Sequence, residues 1–167
     1  MTIRPYKPTD YTECIQAFHS NEPEFFAEHE LEEFRTLLED LAADTDGNTS
    51  STYYFVVETE GRVAACAGFY LPPDNEPAML VWGMVARKFH RQGIGKRLLT
   101  FRLDKIRELR PGLPVILDTT QWSYPFFEKL GFGVTRITND FYAPGLDRYD
   151  MILDPDRYQS SLMSDTA

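Results

Sequence analysis

The chain predicts an α/β (α+β) fold built as a single domain, and three observations predict it. The first is the order of apolar periodicities: strand, two helices, three strands, helix, strand, helix, two strands. Alternation with period two marks the strands, and stripes at i, i+3 and i+4 mark the helices. The second is a pair of hairpins among helical crossovers, joined at Glu60-Gly61 and across Ala143–Asp147. The third is size: 167 residues, 43% hydrophobic with twelve Phe, suffice for one packed core. No repeat or linker marks a second domain, so the domain is expected over 1–154 with a polar, fraying C-terminal tail at 155–167.

Each element has its own signature. Thr2–Tyr6 reads as the first strand. Asp10 is placed to cap a helix whose stripe is Tyr11, Cys14, Ile15 and Phe18. Leu31, Phe34, Leu38 and Leu41 form the stripe of the second helix, with Glu residues outside. Asp44 to Ser51 reads as a polar loop turning at Gly47 and Asn48. Tyr53–Glu58 and Arg62–Tyr70 are the hairpin strands. Pro72-Pro73-Asp74-Asn75 then turns the chain into an apolar strand, Ala78–Ala86. Leu98, Leu99, Leu103 and Ile106 share one face of the next helix, and Val115–Thr119 is a short buried strand. Ser123 is placed to cap a last helix with Pro125 in its first turn, where a missing N–H costs nothing. Phe126, Phe127 and Leu130 fill it and Gly131 ends it, before the closing hairpin Val134–Tyr142 and Tyr149–Leu153.

The most informative stretch joins the Ala78–Ala86 strand to the Leu98–Ile106 helix through a basic loop with two glycines, Gly93 and Gly95. Glycines let the backbone turn tightly and let a ligand approach bare N–H groups. The helix start adds unpaired donors and the positive end of its dipole. Strand, loop and helix together make an anion cradle suited to phosphate. A dinucleotide fingerprint fails because Leu98 stands where its last Gly or Ala belongs. A P-loop fails because His90 replaces the first glycine and Arg97 follows Lys96.

Net charge is −9, which argues against a general nucleic-acid partner. Its distribution is uneven. Residues 1–50 carry twelve acids and three bases, whereas residues 87–110 carry nine Lys/Arg and two acids. Arg87, Lys88, Arg91 and Lys96 gather at the loop, as a polyanionic ligand requires. No apolar run approaches the roughly twenty residues that cross a bilayer, and the N-terminus lacks a secretion signal, so a cytoplasmic chain with no membrane partner is expected. Cys14 and Cys66 read as buried thiols, and three scattered His make no metal set. The oligomeric state is left open, a homodimer included.

His90-Arg91-Gln92-Gly93-Ile94-Gly95 resembles the pyrophosphate motif Q/R-x-x-G-x-G/A of the GCN5-related N-acetyltransferase (GNAT) superfamily, with His at the first position. Tyr124-Pro125-Phe126-Phe127-Glu128-Lys129-Leu130-Gly131-Phe132 resembles the family's F-Y-E-K-x-G-F signature, and the element order covers nearly the whole chain. The resemblance implies a mixed, mostly antiparallel twisted sheet flanked by helices and splayed at an acetyl-CoA site. It implies acetyl-CoA as acetyl donor, with the stretch from Arg91 to Lys96 on the pyrophosphate and His90 as a further donor. Met84 and Val85 would pair with the pantetheine arm, Thr120 stands where relatives carry a contacting Asn, and Phe126 and Phe127 face the thiol end or the core.

Direct transfer needs an amine without its extra proton, donors for a developing oxyanion, and relief for the leaving thiolate. Relatives use the Tyr of F-Y-E-K as the acid, but that position is Phe127. Tyr124, one helical turn earlier, either substitutes or packs at the helix start. Relatives with a Glu base carry it where Ala78 stands. Glu76 shares that face if the strand extends so far, and is otherwise a solvated carboxylate. Asp118, inside an apolar run, is either a base working through water or a satisfied buried carboxylate. Trp82, Gln121 and Trp122 are candidates for the acceptor pocket or for the core, and the bare Gly83 beside Trp82 leaves room for a ligand. His19 and His29 read as surface residues on the acceptor side. The loops Asn21–Phe26 and Tyr142–Asp147 would flank the acceptor entrance, where Glu22, Glu24, Glu28, Glu30, Asp140 and Asp147 favour a cationic amine. The resemblance thus implies an N-acetyltransferase acting on a small-molecule amine. A non-catalytic acyl-CoA-binding module on the same fold is the rival, kept alive by Phe127. Acetylation of a protein N-terminus or lysine would instead demand an open groove.

Overall fold

The structure, a computed structural model, describes residues 1–44 and 51–157. Seven strands form one sheet: β1 Thr2–Pro5, β2 Thr52–Thr59, β3 Arg62–Tyr70, β4 Ala78–Val85, β5 Val115–Thr119, β6 Gly133–Ala143 and β7 Leu146–Leu153. Their order is β1-β2-β3-β4-β5-β7-β6. All neighbours are antiparallel except β4 and β5. The helices are α1 Tyr11–His19, α2 Glu30–Ala43, α3 Ile94–Leu109 and α4 Tyr124–Glu128. This is the expected element order and the expected mixed sheet.

β3 explains how helices cover both faces. Seven consecutive residues, Val63 to Phe69, are buried, and four of the first five are Ala or Cys-sized. Alternation sends Ala65 and Ala67 to one face, against Ile94 and Leu98 of α3. Cys66 goes to the other, against Cys14 and Phe18 of α1. Small side chains let both helices approach closely. Leu99, Leu103 and Ile106 of α3 reach across to Val115 and Leu117 of β5 and to Phe132. On the opposite face Phe18 stacks between Phe26 and Phe34, with centroids 4.9 and 5.8 Å away. Burying each such Phe stabilises by about 2–3 kcal/mol.

The β2–β3 turn is as expected: Thr59 pairs with Arg62 across Glu60 and Gly61, both at positive φ (52° and 73°), which matches the strand twist. Three local expectations change. Asp10 precedes α1 but its carboxylate does not cap it. The Lys7 N–H (2.8 Å) and the Arg4 guanidinium (2.7 and 2.9 Å) hold it instead, tying β1 to the first turn. Ser123 stands before α4 without a side-chain cap bond. The closing hairpin is tighter than expected, because β6 and β7 extend to Ala143 and Leu146 and leave a two-residue turn at Pro144-Gly145. Most of the Asp44–Ser51 loop and of the C-terminal tail lies outside the described residues.

Candidate active site

β4 and β5 pair only at Ala78↔Val115 and Met79↔Ile116. β5 then follows β7 to Thr119↔Tyr149, and β4 follows β3 to Val85↔Ala65, so the two strands part. A register shift between Cys66 and Gly68, opposite Trp82 at φ 43°, bends β4 at this point. The Ala86 N–H donates to the Ala64 carbonyl (2.9 Å), which fixes the alternation. Met84 therefore directs its backbone groups to β3, and Val85 directs its own into the gap. Of the two residues expected to offer their backbone there, only Val85 does so. Its carbonyl accepts from Asn21 Nδ2 (2.9 Å) and His90 Nε2 (2.8 Å), so its N–H is the group turned to a ligand.

The cradle follows directly. Arg91 and Gly93 adopt left-handed φ (60° and 77°), and α3 starts at Ile94 with Gly93 as a cap that has no side chain. The first helical bond runs from the Arg97 N–H to the Gly93 carbonyl (3.1 Å), so the N–H groups of Ile94 and Gly95 precede the helical ladder and point out of the helix start. A Cβ on Gly93 would meet nothing within 4 Å. Open space lies there, and the backbone angle is what requires glycine. A Cβ on Gly95 would lie 3.6 Å from Phe126 Cζ and 3.7 Å from Val85 Cγ2. Thus α4 comes over to the first turn of α3 and flanks the cradle. Gln92 turns its amide back to the Lys88 carbonyl (3.3 Å).

Thr120 follows β5 with 5% exposure, and its Oγ1 has no hydrogen-bond partner among the described residues. Buried hydroxyls are normally satisfied. An amide-bearing ligand in the gap would satisfy this one. Open cradle, turned N–H and orphaned hydroxyl together fit an extended ligand with amides and a terminal polyanion. Phe126 is 37% exposed, whereas Phe127 packs edge-on against Phe132 (5.8 Å, 75°) in the core. Tyr124 lies flat on Tyr149, with centroids 4.3 Å apart at 4°.

The other face carries a cavity of about 820 Å³, walled by Glu24, Glu28 and His29 from the α1–α2 loop, Trp122 after β5, and Pro144 and Leu146 at the β6–β7 turn. Asp118 faces this side, because its neighbour Leu117 points to α3. It is an exposed carboxylate, not a buried one. Tyr142 Oη donates to its Oδ2 (2.5 Å), and Arg148 Nη2 lies 3.7 Å from its Oδ1. Burial, then the Asp118 charge, push the Tyr142 phenol well above its usual range, so it keeps its proton. Burial also pushes the Glu30 carboxyl up, against the Ala27 N–H that pulls it down (2.7 Å).

Several expected residues serve elsewhere. Glu76 is exposed and precedes β4 at the end where β4 and β5 are paired, away from the divergence. Gln121 clamps the β6–β7 turn, donating to the Gly145 carbonyl (2.6 Å) and accepting from the Asp147 N–H (2.8 Å). Trp82 packs against Phe26 and Phe34, and its carbonyl accepts from Tyr54 Oη (2.7 Å). Arg87 leaves the basic cluster to bind the Ser20 carbonyl (2.7 Å) and Glu24 (2.8 Å). Hydrogen bonding to Cys66, then burial, push the Cys14 thiol up, so it is inert. Sequence reasoning placed Asn21 and Tyr142 only in loops at the acceptor entrance, with no role of their own, and missed Arg102. Arg102 was visible as the one charge inside the stripe Leu98, Leu99, Leu103, Ile106.

The profile of the acetyltransferase (GNAT) family matches residues 14–132. No curated protein sequence matches the chain significantly. Among solved structures, one of Desulfovibrio desulfuricans assigned to the GNAT acetyltransferases is similar at TM-score 0.77 and 20% identity, covering 92% of this chain and 98% of that one. The ribosomal-protein-S18-alanine N-acetyltransferase of Escherichia coli is similar at TM-score 0.67 and 23% identity, covering 92% of each chain. An aminoglycoside 6′-N-acetyltransferase from Enterococcus faecium is similar at TM-score 0.68 and 16% identity, covering 93% of this chain and 97% of that one. The profile match over most of the chain, on a sheet that splays beside a glycine cradle, makes this protein a member of the GNAT acetyltransferase family.

Proposed function

We propose that the chain transfers the acetyl group of acetyl-CoA to a primary amine of a small molecule by direct attack. One observation carries the reading: the β4–β5 divergence opens beside the cradle at the start of α3. In this reading the backbone amides from Arg91 to Lys96 hold the pyrophosphate, and the helix dipole adds to the attraction. The Val85 N–H and Thr120 Oγ1 take the amides of the arm, and Phe126 covers it. Bound acetyl-CoA supplies a thioester carbonyl that an amine can attack.

The rest falls to the acceptor face. Trp122 offers an exposed aromatic face and Glu28 a carboxylate in the cavity wall, which attract an ammonium, and Asp118 is exposed on the same side of the sheet. Asp118 takes the amine's proton directly or through water. Tyr142, which stays protonated, holds Asp118 Oδ2 by its hydrogen bond, and Oδ1, 3.7 Å from Arg148 Nη2, is the oxygen that takes the proton. The cavity of about 820 Å³ has room for a small acceptor.

The rival is a non-catalytic acyl-CoA-binding module, and Phe127 in place of a phenol favours it. The test is release of free CoA thiol from acetyl-CoA with a pooled panel of amines, polyamines and peptides. Release that depends on the pool is expected, and dividing the pool then identifies the acceptor. Binding of acetyl-CoA without any release over the amine-free rate would select the rival.

A further inference from the structure

Two charged side chains are buried among the described residues, Asp10 at 5% exposure and Arg102 at 4%. Asp10 has the Arg4 guanidinium at 2.7 Å. Arg102 has no carboxylate partner among the described residues. Its Nη1 donates to the Gly68 carbonyl (3.0 Å), and its Nε has no hydrogen-bond partner among the described residues. Burial pushes Arg102 down to about 10, so it remains a cation at neutral pH. The titratable groups that face it are Tyr54 of β2 and Cys66 of β3. Burial holds the Tyr54 phenol protonated. A lone buried cation is expensive unless negative charge or hydrogen bonds offset it.

Its place is specific. Arg102 sits on α3 directly under the bend of β4. A Cβ on Gly83 would lie 3.3 Å from Nη2 and 3.5 Å from Nη1. The room left by Gly83, expected to admit a ligand, thus admits the guanidinium. Gly68, whose carbonyl it holds, stands at the register shift that opens the sheet. Gly83 is two residues before Val85, about 7 Å along the strand. A ligand arm that runs from the cradle back along β4 passes Val85 first and then this point.

We propose that Arg102 is a positioning residue of the transfer reaction: it fixes the β4 bend and directs a buried positive charge at the thiol end of CoA, where it favours the thiolate. The inference rests on the acetyl-CoA reading and explains how transfer proceeds with Phe127 in place of an acid. As the amine nitrogen bonds to the carbonyl carbon, the C–S bond breaks with its electron pair on sulfur. The amine's proton goes to Asp118 or water. A fixed cation near that sulfur stabilises the thiolate without having to protonate it.

The test follows the ultraviolet absorbance of the thiolate of CoA bound to the wild type as pH is varied. Its thiolate fraction near neutral pH should exceed that of free CoA by about tenfold, one unit of pKa. Arg102→Lys should keep part of this shift and Arg102→Met should abolish it. Gly83→Ala, which crowds the guanidinium but leaves its charge, should give an intermediate shift. Desulfo-CoA reports arm binding without the thiol, so its affinity should not change between the wild type and Gly83→Ala. A bound thiol that titrates like free CoA in the wild type overturns the inference while leaving the acetyl-CoA reading in place. An unchanged shift in Arg102→Met also overturns it. Should Arg102→Met fail to fold, the wild type and Gly83→Ala still decide. No CoA binding by the wild type overturns both readings.

Discussion

The two sides of the β4–β5 gap are built in different ways. On the α3 side the cradle is backbone: left-handed Arg91 and Gly93, and the first-turn N–H groups of α3. On the α2 side the cavity is walled by three separate loops that bring Trp122, Glu28 and Leu146 together, and the Asp118–Tyr142 pair faces the same side of the sheet. Backbone sites tolerate no change in conformation but little depends on side-chain identity. Side-chain sites tolerate folding changes poorly yet vary freely in chemistry. In the proposed reading the first kind recognises a fixed partner, and the second adapts to the acceptor.

Substitutions should therefore separate the two sides. Gly93→Val places a β-branched residue at φ 77° and displaces the cradle amides. Strain and lost charge-assisted bonds total about 4 kcal/mol, roughly a thousandfold in CoA affinity by calorimetry. Gly95→Ala, whose Cβ fits in ordinary contact with Phe126 and Val85, should keep affinity within about threefold. Asp118→Asn should lower turnover on the order of a hundredfold and leave CoA affinity unaltered. A fall in CoA affinity instead would move Asp118 from the acceptor side to the cofactor side.

Asp10→Asn should harm neither side selectively and instead cost about 2 kcal/mol of stability, read by urea unfolding. Burial raises the Asp10 carboxyl, but Arg4 and the Lys7 N–H outweigh this and hold it below its ordinary 3.8. Its contribution is therefore complete above that value and disappears as pH falls through the lower folded one. The difference between wild type and Asp10→Asn should shrink in that acid range. Trp122→Ala, at a site 58% exposed, should raise the acceptor KM about fivefold without altering the melting temperature. The smallest effect belongs to Phe127→Tyr, which points into the core cluster with Phe132. Turnover should stay within about twofold, and a tenfold gain would mean that the reaction lacks an acid after all.

The same contrast explains what the sequence reveals. The fold and the cradle lie in local patterns: the α3 stripe, the β2–β3 turn, and glycines between a strand and a helix. Each is set by residues a few positions apart. The acceptor side depends on contacts between distant positions. Tyr142 reaches Asp118 across 24 residues and Asn21 reaches Val85 across 64. Asp118 reads as buried because its neighbours are apolar, but β5 ends at the sheet's open side and turns alternate residues outward. His90 reads as a phosphate donor, but its Nε2 is committed to the Val85 carbonyl. Capping was misread twice for one reason. Asp10 and Ser123 have suitable side chains, but a cap forms only when no stronger partner or different local turn intervenes.

Backbone amide exchange with and without acetyl-CoA tests the central claim most directly. The account predicts new protection at Val85 and from Ile94 to Lys96, and no change along β1 and β2. Protection confined to the cavity beside Trp122, or none at the cradle at saturating acetyl-CoA, would contradict it.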